Sequence, residues 1–181
     1  MSKFVAILSL MLSLSFASHA QAQTTVFLKP SEALKLIFKD SQEVIKEDKS
    51  LDAAAVSAFK SKLGYEPPRD GYTFYLGKTG GKVDGYALID EQIGKVMPIT
   101  FITRIEPDGN VSVVEIMVYR ETHGGEVASK RFLNQFKGKS LNEELRLYGN
   151  IVNVAGATLS SEALVTGVKR AQFLWKHFYG S

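Results

Sequence analysis

Thr158 carries a hydroxyl between Gly156-Ala157 and Ser160-Ser161, just ahead of a helical pattern. In that pattern Leu164, Val168, Ala171, Trp175 and Phe178 recur at spacings of three and four, and Ser160 is a candidate N-cap. The start of a helix presents free backbone N–H groups and the positive end of its dipole, which suits a phosphate. Gly156 would let the backbone approach such a group and Ala157 adds little bulk, while Ser160 and Ser161 could donate hydrogen bonds. A plain helix start with capping hydroxyls and a turn glycine explains the same residues, and local composition alone favours that reading.

A second constellation runs from Tyr119 to Ser140, where a strand pattern ends, a glycine loop turns and a helical pattern begins. Glu121 and Thr122 belong to the loop, and Gly124 and Gly125 would leave room for a flat ligand. His123 reads as a loop histidine, because no cluster of metal-ligating residues accompanies it. Lys137 and Lys139 could pair with an anion or be solvated.

The elements that must position these residues follow from patterning. Between Leu28 and Leu51, Ser31 is a candidate helix cap, and Leu34, Ile37 and Phe38 share one face of the expected helix. A further helix is expected after Asp52 as its cap, with Val56, Phe59 and Leu63 inward; Pro67 and Pro68 cannot continue it. From Gly71 onward four strand patterns follow, broken by Thr79-Gly80-Gly81 and by a strong hairpin signal around Asp108-Gly109. Their short connections imply an antiparallel meander. A helix with Val127, Phe132 or Leu133, and Phe136 inward should end near Gly138. The expectation is an α+β domain, a mostly antiparallel four-stranded meander packed with N- and C-terminal helices.

Residues 1–22 read as a secretory signal peptide: Lys3, a short apolar run, then small residues that permit cleavage after Ala20 or, preferably, Ala22. Removing those 22 of 181 residues leaves 159, enough for one hydrophobic core, and losing Lys3 takes the net charge from +3 to +2. So small a charge argues against nucleic acid or a polybasic membrane contact. With no cysteine there is no disulfide, thiol centre or lipid-bearing cysteine, so the expectation is a soluble, periplasmic protein without a lipid anchor. Three histidines, one of them in the leader, offer little for a catalytic triad.

Taken together, Glu121-Thr122-x-Gly124, the stretch from Phe132-Leu133-x-Gln135-Phe136 to Gly138-Lys139, and Gly156-Ala157-Thr158 resemble the FMN-binding domain. That domain occurs in flavin-carrying subunits of sodium-pumping NADH:quinone reductases and Rnf-type complexes, and in small exported flavoproteins. The resemblance covers roughly Tyr72 to Trp175, giving residues 23–70 as a helical extension and 71–181 as the FMN-binding domain. It implies FMN joined by a phosphoester to Thr158, installed from FAD by a flavin transferase. It also implies that Gly156, Ala157, Ser160, Ser161, Glu121, Thr122, Gly124 and Gly125 surround the cofactor. The implied role is electron transfer between a redox donor and acceptor, with a membrane-bound partner among those the resemblance allows, rather than substrate-specific catalysis. Two positions depart from the family pattern: Val152 replaces an aspartate and Ala155 a serine or threonine. A non-redox ligand-binding or interaction module, with flavin non-covalent or lost, stays open beside the flavoprotein.

Overall fold

The computed structural model describes residues 24–180, so the expected signal peptide lies outside the described residues. The chain forms β1 (Thr25–Val26), α1 (Pro30–Ile37), β2 (Glu43–Ser50), α2 (Ala53–Leu63), β3 (Gly71–Thr79), β4 (Lys82–Ile93), β5 (Pro98–Ile105), β6 (Val111–Tyr119), the short α3 (Lys130–Leu133) and the long α4 (Thr158–Tyr179). The strands make one antiparallel sheet in the order β1-β6-β5-β4-β3-β2.

The meander β3–β6 lies where the alternating patterns put it, but the sheet has six strands rather than four. The added edge strand β2 pairs with β3 in unbroken register from Glu43↔Lys78 to Ser50↔Gly71. Its sequence, Glu-Val-Ile-Lys-Glu-Asp-Lys-Ser, carries few apolar residues, so its period of two is weak and helix formers hide it. Charge suits its position, since an edge strand rich in Lys and Glu resists pairing with other chains. Ser31 is not the cap of α1. Pro30 takes the first helical position and the Glu32 carboxylate accepts from the Lys29 N–H at 2.8 Å. Asp52 caps α2 as expected, accepting from the Ala55 N–H at 2.7 Å.

Both sheet faces are covered. On one, Phe74, Leu88, Phe101 and Ile116 pack with Phe59 of α2 and Leu164, Val168, Ala171 and Trp175 of α4. On the other, Ala33 and Ile37 of α1 and Phe38 at its C-cap meet Ala87, Ile102 and Met117. Gly167 brings α4 onto the sheet: a Cβ there would lie 2.1 Å from the Phe101 ring.

A buried ion pair fixes α4 along its axis. Arg170 Nε donates to Asp90 Oδ2 at 2.6 Å, its other nitrogens reach Gln92 Oε1 and Glu91 O, and Arg69 donates to Asp90 Oδ1 at 2.7 Å. Arg170 is 1% and Asp90 3% exposed, so each charge depends on the other. This sets the first turn of α4 against the loop that follows β4. Among the described residues no helix is long and apolar enough to cross a membrane.

Candidate functional site

Thr158 is the first residue of α4, and Ala157, not Ser160, stands at its N-cap. Ser160 lies inside the first turn and is 4% exposed. Its hydroxyl is spent on structure. The Tyr119 hydroxyl donates to the His123 carbonyl, so its single proton is used, and Ser160 Oγ must donate to Tyr119 Oη at 2.9 Å. Burial pushes the Tyr119 phenol above its ordinary value, against the Ser160 hydrogen bond, which lowers it. Ser161 is fully buried and its hydroxyl has no partner among the described residues.

The loop after β6 meets α4 at Gly124. Its φ of +85° suits glycine, and a Cβ would lie 2.8 Å from Tyr119 Oη, 3.1 Å from Ala157 Cβ and 3.2 Å from Ser160 Oγ. Gly124 therefore seats the loop against the helix start, while Gly125 borders more open space. The helix expected after this loop is broken into a 3-10 turn at Gly125–Ala128, α3, and a second 3-10 turn at Asn134–Phe136. Val127, Phe132, Leu133 and Phe136 are nonetheless all buried.

Glu121 turns toward the loop between β4 and β5, accepting from Val96 N–H at 2.7 Å and Met97 N–H at 2.9 Å. Burial would raise its pKa, but these bonds, one from Lys95 N–H and the Lys95 charge outweigh it and hold the carboxyl below its ordinary value. Thr122 Oγ1 and His123 Nδ1 are 2.8 Å apart.

These parts enclose a cleft of about 460 Å³ lined by Lys95, Glu121, Thr122, His123, Gly156, Ala157, Thr158, Leu159 and Ser160. The structure thus joins the two separate sequence constellations around one opening. Its volume falls in the range of small-molecule sites. No acidic residue occupies the first turn of α4, so no side chain of that turn offsets the helix dipole at the cleft. Lys139 points elsewhere, pairing with Glu143 at 2.8 Å.

Three contributors, Lys95, Asn153 and Tyr148, escape a reading of the sequence, and a fourth, Gln135, is legible there only as part of a motif. Lys95 supplies a positive charge at the rim. Asn153 Nδ2 donates to Thr158 Oγ1 at 2.9 Å and to Tyr148 Oη at 2.9 Å. Tyr148 Oη lies 3.4 Å from Thr158 Oγ1. Gln135 binds the backbone of Val152 through both ends of its amide, at 2.7 and 3.0 Å. The positive φ of Tyr148, a non-glycine residue, cannot be read from residue type.

A family model described as the FMN-binding domain matches residues 94–172. One subunit of the Na(+)-translocating ferredoxin:NAD(+) oxidoreductase complex of Acetobacterium woodii is 31% identical over 140 residues, covering 70% of this chain and 68% of that protein. The equivalent component of the proton-translocating ferredoxin:NAD(+) oxidoreductase complex of Clostridium ljungdahlii is 33% identical over 105 residues, covering 54% of this chain and 57% of that one. The crystal structure of Shewanella oneidensis NqrC shares the fold, with a TM-score of 0.52 and 20% identity over 78% of this chain and 81% of that one. The matched region contains the loop after β6, the Gln135 turn and the start of α4, and the chain belongs to the FMN-binding domain family, with FMN as its cofactor.

Proposed function

We propose that this protein is an exported electron carrier whose FMN is joined to Thr158 by a phosphoester bond. The observation that carries this reading is the placement of the Thr158 hydroxyl, at the first residue of α4 and on the wall of the cleft. A phosphate there meets the free N–H groups of a helix start with no carboxylate in the turn. Gly156 and Ala157 add no bulk beside it, and Lys95 adds charge at the rim. The donor set fits a phosphorylated, flat cofactor.

FMN supplies one- and two-electron redox chemistry when bound. The chain's own work is to hold the phosphate at Thr158, to frame the cleft with Glu121, Thr122 and His123, whose loop Gly124 seats against α4, and to fix the β4–β5 loop through the Glu121 carboxylate. The relatives in Acetobacterium woodii and Clostridium ljungdahlii belong to ferredoxin:NAD(+) oxidoreductase complexes, which supports a role in passing electrons between redox partners. The leader-like residues 1–22 support export to the periplasm, and a flavin transferase would load the cofactor.

The test is co-expression with an active flavin transferase, followed by intact mass and a visible spectrum of the purified chain. A mass gain of one FMN moiety, absent in Thr158→Ala, is expected. A colourless, unmodified wild-type chain would overturn the reading. Fractionation tests export separately, with the processed chain expected in the periplasmic pool and an unprocessed cytoplasmic chain contradicting it.

A further inference from the structure

We propose that Asn153 and Tyr148 are positioning residues that hold the Thr158 hydroxyl ready for phosphoester formation. The proposal rests on the reading that Thr158 is the attachment point, and adds to it how this chain prepares that oxygen.

Three side chains meet at Thr158 Oγ1. One Asn153 amide nitrogen donates to both Thr158 Oγ1 and Tyr148 Oη, each at 2.9 Å, and the two oxygens lie 3.4 Å apart. An amide nitrogen has two hydrogens, so both bonds can form together. With one lone pair of Thr158 Oγ1 taken by Asn153, Tyr148 Oη at 3.4 Å is the oxygen placed to take the threonine proton once the two close to hydrogen-bond distance. The other lone pair is left to attack.

Tyr148 is placed for this at a cost. It is the one non-glycine residue with positive φ among the described residues, at 62°, and it is 72% exposed. Burial of its ring therefore does not account for a conformation that disfavours a side chain. The turn that imposes it is closed by Tyr148 N–H to Ile151 O at 2.9 Å, Gly149 N–H and Ile151 N–H to Arg146 O at 3.1 Å each, and Arg146 N–H to Asn150 Oδ1 at 2.9 Å. Strain held by surrounding structure beside a reactive group is what a positioning role requires.

In the transfer, Thr158 Oγ1 forms a bond to the flavin-side phosphorus of FAD delivered by the transferase. The phosphorus–oxygen bond to the adenylate side breaks, and AMP leaves with the electron pair. The threonine proton is relayed through the exposed Tyr148 hydroxyl, which accepts it as it passes its own proton to water, so Tyr148 is neutral before and after. No atom changes oxidation state.

The experiment measures initial rates of flavin attachment on the full chain, with purified transferase and FAD, by intact mass. Wild type, Asn153→Asp and Tyr148→Phe are compared over a range of chain concentrations. Asn153→Asp keeps the shape but removes the N–H donor, and Tyr148→Phe removes one oxygen from an exposed residue. The expected result is a fall in kcat of at least about tenfold in each, with KM changed less than about twofold, as loss of orientation requires. Melting temperatures should match wild type for Tyr148→Phe, so that this variant carries the test if Asn153→Asp unfolds. Wild-type rates in both variants, or an effect confined to KM, would overturn the positioning role while leaving attachment intact. A wild-type chain left unmodified by a transferase that modifies its usual acceptor would overturn both.

Discussion

Gln135 pairs with Val152 as one strand pairs with another: its side-chain nitrogen donates to Val152 O at 3.0 Å, and Val152 N–H donates to its side-chain oxygen at 2.7 Å. The acceptor segment is thus tied by its backbone to the turn that follows α3. The Val152 side chain is left 67% exposed, and Ala155 is exposed as well.

Both departures from the family pattern therefore sit on the surface, where a partner could read them and the fold does not. The double variant Val152→Asp, Ala155→Ser should change stability by no more than about 0.5 kcal/mol in denaturant unfolding. Its flavin-loaded fraction with a transferase should rise. An equal fraction in both proteins would mean that these positions do not guide loading.

Replacing Gly124 tests how the loop is seated. Gly124→Ala forces a side chain at φ +85° and within 2.8 Å of Tyr119 Oη. A loss of about 1–3 kcal/mol is expected in thermal or denaturant melts of the flavin-free chain, the range of overpacking. A larger substitution such as Gly124→Val would disturb the fold too, and so cannot isolate a flavin contact.

Glu121 gives a dependence on pH. Its folded pKa lies below the ordinary 4.5, so its stabilisation is fully present above that value and is lost as pH falls through the lower folded value. Glu121→Gln should flatten that part of the stability curve below about pH 4.5. Melting temperatures measured across that window check it, and parallel curves for the two proteins would contradict it.

Asp90→Asn would leave Arg170 charged, buried and without its carboxylate. A loss of about 3–5 kcal/mol is expected in denaturant unfolding. Because this pair fixes α4 on β4, whatever protein still folds should also be loaded with flavin more slowly by a transferase, as read by intact mass.

Much of this architecture is written in side-chain periodicity. The β3–β6 strands stand out as runs of β-branched, aliphatic and aromatic residues because one face meets α4 and the other α1, and α4 shows its three- and four-residue spacing because its buried stripe runs its whole length. β2 is hidden because an exposed edge needs few apolar residues. At the site, Thr158 and the Glu121–Gly125 loop are legible from residue type and order. Ser160 looks like the cap because hydroxyls favour that position in general, while here Tyr119, distant in sequence, claims it. Asn153 and Tyr148 acquire meaning only once the turn between Arg146 and Ile151 folds back on the start of α4, and no local pattern encodes that return.

The central claim is that Thr158 bears the flavin, and peptide mass mapping of protein loaded by a transferase tests it most directly. The Thr158 hydroxyl accepts from Asn153 and makes a longer contact with the exposed Tyr148, so Thr158→Ala should cost about 1 kcal/mol and still fold. The expected result is one FMN phosphoester on the peptide containing Thr158 in wild type and none anywhere in Thr158→Ala. Flavin found covalently on another residue, or retained equally by the alanine variant, would contradict the claim.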